Sequence, residues 1–468
     1  MLDRPWEEEV DLLIAGGGAG GMTAALVAAL EGVEVMLCEK SDQIGGTAAT
    51  SAGSLWIPGN VESRNIGLHD APDDAMKYLE CLIGEDADCD LRTTYLESGP
   101  VALAYLAERS EVKFGPAGDH PDYQINKPGA ASSGRVVIPL PFDGRLLGRD
   151  FTRVRPPIDE FMLLGGMMIG KSDIPRLLGR FRSLPNFVYS LDLVTRYLVD
   201  RFRYPRGTRL VMGNALVARL FASLLKQRVS VRFECAIKDV VLDAGRVKGA
   251  VIVHAGRERH VRTRLGVVLA TGGFAHNQNY RAAFMPQPTP RHSMAFVGNV
   301  GDGVDIGRRL GGRISPEQHR SGAFWSPVSI VRRSDGGEGL YPHLLLDRAK
   351  PGLIAVNANG ARFVNEAVSY HDFVLAMFEA NRQVASIPAH LVCDAEFVRK
   401  YGLGAIHPGT RDLRRCERKG LLVCAQTINE LATKISLDPA RLNDTVARMN
   451  AFAATGVDLE FRKGDFTA

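Results

Sequence analysis

Three glycines at the spacing G-x-G-x-x-G form the first group of residues that could do chemistry. Gly16, Gly18 and Gly21 directly follow an apolar run and open an alanine-rich one. The first glycine permits a tight turn, the second lets the backbone approach a pyrophosphate, and the third lets a helix pack closely on a strand. Ala19 and Gly20 complete the loop, where unpaired N–H groups of a helix N-terminus would face phosphates. This spacing predicts a dinucleotide site.

An acidic residue follows where a dinucleotide site needs one. Glu39 lies 18 residues after Gly21, at the end of a second apolar run. A carboxylate there accepts hydrogen bonds from ribose hydroxyls. A purely structural glycine turn does not explain Glu39. The elements that must position these residues are two strands, at Val10–Ala15 and Val33–Cys38, around a helix at Met22–Glu31. We therefore expect an α/β fold with a Rossmann-like parallel sheet.

Composition excludes several classes of function. The 468 residues suffice for a large core and more than one domain. The net charge of +4, from 57 basic and 53 acidic residues, is too small to predict nucleic-acid binding. The seven scattered cysteines contain no C-x-x-C pair, so we expect no zinc site and no disulfide framework. The acidic start MLDRPWEEEV is unlike a signal peptide, and the longest apolar run, FMLLGGMMIG, is too short to cross a bilayer. We expect a soluble, cytoplasmic protein without a metal.

A second loop rich in small residues follows Glu39. Such a loop would let the backbone run along a flat ring and a second set of phosphates. Its candidate cofactor-binding residues are Lys40, Ser41, Gly45, Gly46, Thr47, Ser51, Ala52 and Gly53.

Together with Ala270-Thr271-Gly272-Gly273 at the end of a later strand, this loop resembles the FAD-binding flavoproteins of the fumarate reductase and succinate dehydrogenase superfamily. Two later segments carry the same resemblance: GNVGDG at 298–303, and N-x-x-G-x-R-F-x-N-E at 357–366. The resemblance implies that FAD is the cofactor. It adds Ile237, Ala270, Thr271, Gly272 and Asp302 to the residues expected to bind it.

Within that superfamily the chain most resembles the 3-ketosteroid dehydrogenases. The resemblance rests on EKSDQIGGTAATSAGSLWIPGN, on HPDYQINKPGAASSGR followed by PFDGR, on MGNALVARL and on NEAVSYHDF. It implies removal of a proton alpha to the 3-keto group and transfer of a hydride to flavin N5. It implies that Tyr370 accepts the proton and that Tyr123 supports it. For each tyrosine alone, a half-buried aromatic with a wetted hydroxyl is the competing interpretation. Desaturation at the 1,2 or the 4,5 position stays open.

Two other functions remain as alternatives. A fumarate reductase-like flavoprotein would act on small unsaturated acids, but residues 367–371 lack the arginine that the fumarate reductases place just after N-E. Arg362 is predicted to be structural and paired with Glu366. The resemblance also implies a C-terminal return segment, and the sequence ends at Ala468, about where that segment would begin. We therefore expect this segment to be missing, and a catalytically weak flavin- or steroid-binding protein is the second alternative.

The domain arrangement follows from the same pattern. We expect a FAD-binding domain at 1–276, with a helical insertion near 150–210, and an α+β cap or catalytic domain at 277–468. Within them we expect two successive strands at Val261–Arg264 and Gly266–Ala270 and helices at 370–382 and 439–454. The basic amphipathic stretch at 173–203 has two interpretations, a solvated helix face or a peripheral membrane contact. The expected partners are a small apolar ketone and an unidentified electron acceptor, and no nucleic acid.

Overall fold

Two units share the chain in the computed structural model, which describes residues 5–84, 89–314, 326–333, 336–344 and 347–465. Unit 1 comprises Met1–Asp119, Ser133–Arg281 and Ala295–Pro316. Unit 2 comprises His120–Ser132, Ala282–Met294 and Glu317–Ala468.

Unit 1 is built on a six-stranded sheet and also contains a three-stranded sheet and a two-stranded sheet. Its strands are β1 (Glu8–Ala15), β2 (Val35–Cys38), β3 (Leu55–Trp56), β4 (Phe114–Pro116), β5 (Val136–Pro139), β6 (Phe142–Asp143), β7 (Arg209–Leu210), β8 (Ser230–Arg232), β9 (Cys235–Asp243), β10 (Arg246–His254) and β11 (Arg257–Leu269). The main sheet has the order β8-β2-β1-β11-β10-β9, and the smaller sheets have the orders β3-β5-β4 and β6-β7. Strands β8, β2, β1 and β11 are parallel, whereas β10 and β9 are antiparallel additions.

Strand β11 is longer than the sequence suggested. We predicted two strands, at Val261–Arg264 and Gly266–Ala270, and the structure has one continuous strand. Its first half pairs with β10 and its second half pairs with β1, so one strand joins the hairpin to the parallel sheet. The register shifts between Val10 and Leu12 of β1, opposite the boundary that we had predicted. The break in the apolar pattern between the two predicted strands therefore corresponds to an irregularity within one strand and not to a strand end.

Unit 1 also contains helices of 4 to 21 residues. They are α1 (Ala19–Leu30), α2 (Val61–Arg64), α3 (Pro72–Ile83), α4 (Cys89–Arg109), α5 (Asp173–Leu178), α6 (Leu184–Arg201), α7 (Met212–Lys226), α8 (Gln278–Phe284, which ends in unit 2) and α9 (Asp302–Arg309). Alternate residues of β1 point to opposite faces, as the strand period requires. Ile14 therefore packs with side chains of α1 and α7, and Leu13 packs with those of β10 and β11.

In its described residues, unit 2 contains two short antiparallel sheets and five further helices. Its strands are β12 (Val328–Arg332), β13 (Glu338–Pro342), β14 (Leu353–Val356) and β15 (His390–Cys393). Its helices are α10 (Tyr370–Asn381), α11 (Ala395–Tyr401), α12 (Leu413–Arg418), α13 (Ile428–Lys434) and α14 (Pro439–Thr455). Strand β12 pairs with β13, and β14 pairs with β15. No helix in the described part of the chain is both long and apolar enough to cross a bilayer.

A buried ion network organises the interior of unit 2. The Arg362 guanidinium donates two hydrogen bonds to the Glu366 carboxylate, at 2.9 and 3.0 Å. It donates two more to Asp458, at 3.1 and 2.8 Å. Lys463 lies 3.3 Å from Glu366 and completes the network. The predicted pairing of Arg362 with Glu366 is therefore confirmed, and these groups are committed to holding the fold.

Candidate active site

A pocket in unit 1 lies at the carboxyl ends of parallel strands β1, β2 and β11. Loops leave the sheet there in different directions, which is the usual place for a ligand in a doubly wound fold. The lining residues are Ala15, Gly16, Gly17, Gly18, Ala19, Gly20, Cys38, Glu39, Lys40, Gly46, Thr47, Ala48, Cys235, Ala236, Ile237, Ala270, Thr271, Gly272, Phe296, Asn299 and Asp302.

The glycines of the first loop divide into two kinds. A Cβ at Gly16 would lie 2.2 Å from the Ala270 carbonyl oxygen, and one at Gly21 would lie 1.9 Å from the Gly16 oxygen. These two positions bring backbone against backbone. By contrast, a Cβ at Gly18 or Gly20 would meet no protein atom within 4 Å. Both residues line the pocket, so the space beside them is open to a ligand and is not occupied by other parts of the protein.

Glu39 is buried and held in one orientation. Its Oε2 accepts the backbone N–H of Gly17 at 2.9 Å. Its Oε1 accepts the N–H of Ser41 at 2.9 Å and the Ser41 hydroxyl at 2.7 Å. A carboxylate offers about four acceptor positions. Three are therefore used by the protein, and the remaining capacity faces a pocket in which a ribose hydroxyl could donate.

The opposite wall of the pocket combines a charge pair with a fixed hydroxyl. Lys40 forms an ion pair with Asp302, at the N-terminus of α9. Thr47 Oγ1 accepts the backbone N–H of Phe296 at 2.9 Å and the side-chain N–H of Asn299 at 3.1 Å. Because both bonds occupy acceptor positions, the hydroxyl proton of Thr47 remains for donation to a ligand.

Most of the predicted cofactor residues line this pocket: Gly16, Gly18, Ala19, Gly20, Glu39, Lys40, Gly46, Thr47, Ile237, Ala270, Thr271, Gly272 and Asp302. The others lie behind it or beside it: Gly21, Ser41, Gly45, Ser51, Ala52 and Gly53. Ser41 acts through its bonds to Glu39. Eight further residues of the lining were not predicted: Ala15, Gly17, Cys38, Ala48, Cys235, Ala236, Phe296 and Asn299. All of these except Cys235 and Phe296 adjoin predicted residues or fall within a quoted motif, and these two had no local signal.

This donor set fits a dinucleotide such as FAD. The open space over Gly18 and Gly20 adjoins the N-terminus of α1, which favours a pyrophosphate. Glu39 lies at the end of the second strand, in reach of a ribose, and the small residues from Gly46 to Ala48 leave room for a flat ring. Gly18 and Glu39 are the residues that this fit depends on most.

The two predicted catalytic tyrosines meet in unit 2. The hydroxyl oxygens of Tyr123 and Tyr370 lie 2.8 Å apart, so one hydroxyl donates to the other. The rings pack edge to face, with centroids 5.3 Å apart and an interplanar angle of 67°. The two residues are 247 positions apart in the sequence. The fold of this unit therefore brings two phenols into one hydrogen bond.

Burial sets the acidity of this pair. It raises the pKa of the Tyr370 phenol, and the neighbouring Tyr123 raises it further. Tyr123 is 41% exposed, but partial desolvation of its hydroxyl still raises its pKa, and the hydrogen bond with Tyr370 opposes that effect. At neutral pH the pair is therefore uncharged, and its first proton leaves only in the alkaline range.

Two local devices position the tyrosines. Asp122 closes the Tyr123 loop, because its backbone N–H donates to the Ala131 carbonyl and its carboxylate accepts the Ala131 N–H, both at 2.9 Å. Tyr370 is the first residue of α10, which Ser369 caps. Next to the pair, the Gln124 side-chain N–H donates to the Asp372 carboxylate at 3.0 Å. This bond ties the loop to the first turn of α10.

The FAD binding domain family matches residues 11–468 of this chain. The 3-oxosteroid 1-dehydrogenase of Mycolicibacterium smegmatis is 33% identical, over 98% of this chain and 80% of that protein. The 4-oxocyclohex-2-ene-1-carboxylate 5-dehydrogenase of Sinomonas cyclohexanicum is 35% identical, over 97% of this chain and 77% of that protein.

Among solved structures, the chain is similar to the 3-ketosteroid delta1-dehydrogenase from Sterolibacterium denitrificans in complex with 1,4-androstadiene-3,17-dione. The TM-score is 0.87 at 30% identity, covering 98% of this chain and 82% of that one. Both the backbone and the sequence are therefore shared over nearly the whole of this chain.

Proposed function

Because the chain belongs to the FAD binding domain family and, within it, to the 3-ketosteroid dehydrogenases, which are FAD-dependent oxidoreductases, we propose that it desaturates the A ring of a 3-ketosteroid. The observation that carries this proposal is the Tyr123–Tyr370 pair, with hydroxyl oxygens 2.8 Å apart. The names of the relatives in M. smegmatis and S. denitrificans favour desaturation at the 1,2 position.

In the proposed mechanism Tyr370 accepts the proton that leaves the carbon alpha to the ketone. It does so as a phenolate and becomes a neutral phenol, while the negative charge passes to the substrate. The Tyr123 hydroxyl is hydrogen-bonded to the same oxygen across 2.8 Å and holds it in position for the transfer. When bound, FAD supplies the acceptor for the hydride that leaves the neighbouring carbon. An electron acceptor, for which a redox dye can substitute in an assay, must then reoxidise the cofactor.

The acidity of the pair predicts a pH dependence. Since burial raises the pKa of both phenols, the phenolate fraction grows as the pH rises above neutrality. We expect kcat/KM to increase between about pH 6 and about pH 10, with a slope that approaches one decade per pH unit. Replacing Tyr123 by Phe removes the neighbouring phenol that raises the pKa of Tyr370, and it should move the rise to lower pH. A flat profile over that range would exclude a phenol of this acidity as the base.

The bond between Gln124 and Asp372 predicts a positioning effect. Gln124→Ala removes the link from the Tyr123 loop to α10 and changes neither tyrosine side chain itself. We expect kcat to fall about tenfold, because small misplacements of catalytic groups lower rates strongly. Gln124→Glu, which sets a second carboxylate against Asp372, should lower kcat at least as much. FAD content and melting temperature are measured in parallel, because a general loss of folding would lower both of them. We expect both to match the wild type.

A cyclic keto acid is the competing substrate, because the relative from S. cyclohexanicum is named for one. Turnover of a 3-ketosteroid and of 4-oxocyclohexanecarboxylate, each with a redox dye as acceptor, separates the two. We expect kcat/KM to be at least about a hundredfold higher for the steroid, a difference of about 2.7 kcal/mol in transition-state binding. The reverse order would assign the chain to the keto acid. Fumarate with a reduced dye tests the third substrate class, and we expect no turnover.

We propose that residues 1–276 form most of the FAD-binding domain, with the helical insertion near 150–210, and that residues 277–468 form most of the catalytic cap. Two segments cross this division. The loop His120–Ser132 belongs to unit 2, which also carries Tyr370, and Ala295–Pro316 belongs to unit 1, where Phe296 and Asp302 line the cofactor pocket.

We also propose a cytoplasmic location with peripheral contact to an anionic membrane, through a surface at and beside α6. Large apolar side chains are exposed there, including Phe202 at 92%, Phe181 at 81% and Leu184 at 74%. Exposed arginines interleave with them: Arg176, Arg180, Arg182, Arg201 and Arg203. This combination is typical of interfacial surfaces. Co-sedimentation with phosphatidylserine vesicles should be lost in a Phe181→Ser, Phe202→Ser double variant, and equal binding by the variant would exclude this surface.

A further inference from the structure

Three side chains of unit 2 form a hydrogen-bonded series that dehydrogenation does not use. Ser329 Oγ lies 2.5 Å from His343 Nε2. On the other side of the ring, His343 Nδ1 lies 2.7 Å from Asp347 Oδ2. Ser329 is exposed on β12, whereas His343 and Asp347 are buried, at 5% and 4% exposure. The order hydroxyl, imidazole, buried carboxylate is the arrangement that activates a serine as a nucleophile.

The carboxylate of the series is kept charged and fixed. Asp347 Oδ2 also accepts the backbone N–H of Gly404 at 2.9 Å, and Oδ1 accepts the N–H of Arg348 at 2.7 Å. Burial alone would raise the pKa of Asp347, but His343 and the backbone donors outweigh it, so the pKa lies below its usual range. An ionised carboxylate orients the imidazole so that Nδ1 carries the proton and Nε2 is free to accept one.

The histidine is held from several directions. Its backbone N–H donates to the Pro327 carbonyl at 2.9 Å, two residues before Ser329. Its carbonyl accepts Nε–H of the fully buried Arg348 at 3.0 Å. Gly404, at a φ of 56°, lets its loop lie against the ring, because a Cβ there would be 3.2 Å from His343 Cε1. The imidazole therefore has little freedom to leave the serine, as a general base requires.

We propose that Ser329 is a nucleophilic serine that attacks activated carboxylic esters, with His343 as general base and Asp347 as the residue that orients it. The Ser329 oxygen forms a bond to the ester carbonyl carbon as its proton passes to His343 Nε2. The C–O bond to the alcohol then breaks, and His343 returns the proton to the departing alcohol. Water, deprotonated by His343, releases the acid and restores the Ser329 hydroxyl. The net reaction is ester plus water to acid plus alcohol.

The test uses the FAD-loaded full chain and two probes, an alkyl fluorophosphonate and p-nitrophenyl acetate. We expect the fluorophosphonate to add one label per chain, with loss of fluoride, and peptide mapping to place the label on Ser329. Ser329→Ala should lower both labelling and ester hydrolysis at least about tenfold, while FAD content and dehydrogenation stay at wild-type values. Ser326→Ala, on the same segment, should label like the wild type.

Asp347→Asn distinguishes an activated serine from one that is merely accessible. It keeps the shape of the side chain but removes the charge that orients His343, so labelling should slow at least about tenfold. Three results would overturn the proposal: no labelling of the wild type, a label that maps to another residue, or equal labelling of the wild type and Ser329→Ala. Ser329 is exposed, so Ser329→Ala should fold like the wild type. It therefore tests the proposal even if Asp347→Asn, at a buried position, impairs folding.

Discussion

Tyr370→Phe is expected to lower the rate of dehydrogenation by about 10³-fold, within the range that general base catalysis contributes. The substitution removes only the hydroxyl that would accept the substrate proton, because the Phe ring can keep the edge-to-face packing on Tyr123 at a centroid distance of 5.3 Å. The measurement is the single-turnover rate of anaerobic flavin reduction by a 3-ketosteroid. FAD content should stay at the wild-type value, since Tyr370 lies in unit 2 and the cofactor pocket lies in unit 1.

A matched control for this variant is Tyr401→Phe. Tyr401 lies at the end of α11 in the same unit, where its ring packs on Phe397 rather than on the tyrosine pair. Loss of its hydroxyl should leave the rate within about twofold of the wild type. A Tyr370→Phe enzyme that reduces its flavin as fast as this control would mean that another group takes the proton.

Gly18→Val is expected to abolish FAD binding while the fold of the apoprotein survives. Gly18 has an extended backbone, with φ −78° and ψ −179°, that valine adopts without strain. No protein atom lies within 4 Å of its Cβ position, so the isopropyl group would point into the pocket over the N-terminus of α1. That space is where we place the pyrophosphate. We expect at least about a hundredfold weaker FAD binding, or about 2.7 kcal/mol, by titration of the apoprotein.

The contrasting variant is Gly21→Ala. It adds a smaller side chain than valine, but at a position where the protein leaves no room for one. Its Cβ would lie 1.9 Å from the Gly16 carbonyl oxygen, so the β1–α1 packing must move. This variant should lose the fold itself, seen as a large fall in the melting temperature of the apoprotein. Gly18→Val that still retains FAD through purification would contradict the place assigned to the pyrophosphate.

The part of the site that the sequence could predict is the part made by neighbours in the chain. Gly16, Gly18 and Glu39 belong to one βαβ unit, in which spacing alone fixes where each residue lies. The bounds of α10 and α14 were likewise predicted to within one residue at each end. In the structure each helix begins directly after a capping side chain, Ser369 or Asp438.

The remainder depends on contacts between distant segments, which no local pattern encodes. Phe296 is held at the cofactor pocket by a hydrogen bond from its backbone N–H to the hydroxyl of Thr47, 249 residues earlier. The meeting of Tyr123 with Tyr370 was expected only from the resemblance to a family, not from spacing. Ser329 and His343 come together because β12 and β13 pair in register, with Ser329 opposite Tyr341. Such pairings are set by tertiary packing, so only the folded chain displays them.

An anaerobic absorbance titration of the purified FAD-loaded chain with a 3-ketosteroid tests dehydrogenation by this chain without an added acceptor. We expect the visible flavin band to bleach in proportion to added steroid, with formation of one ring double bond per flavin reduced. That result would establish FAD, hydride transfer and substrate class in one measurement. A yellow protein whose flavin band is unchanged by excess steroid would contradict the account.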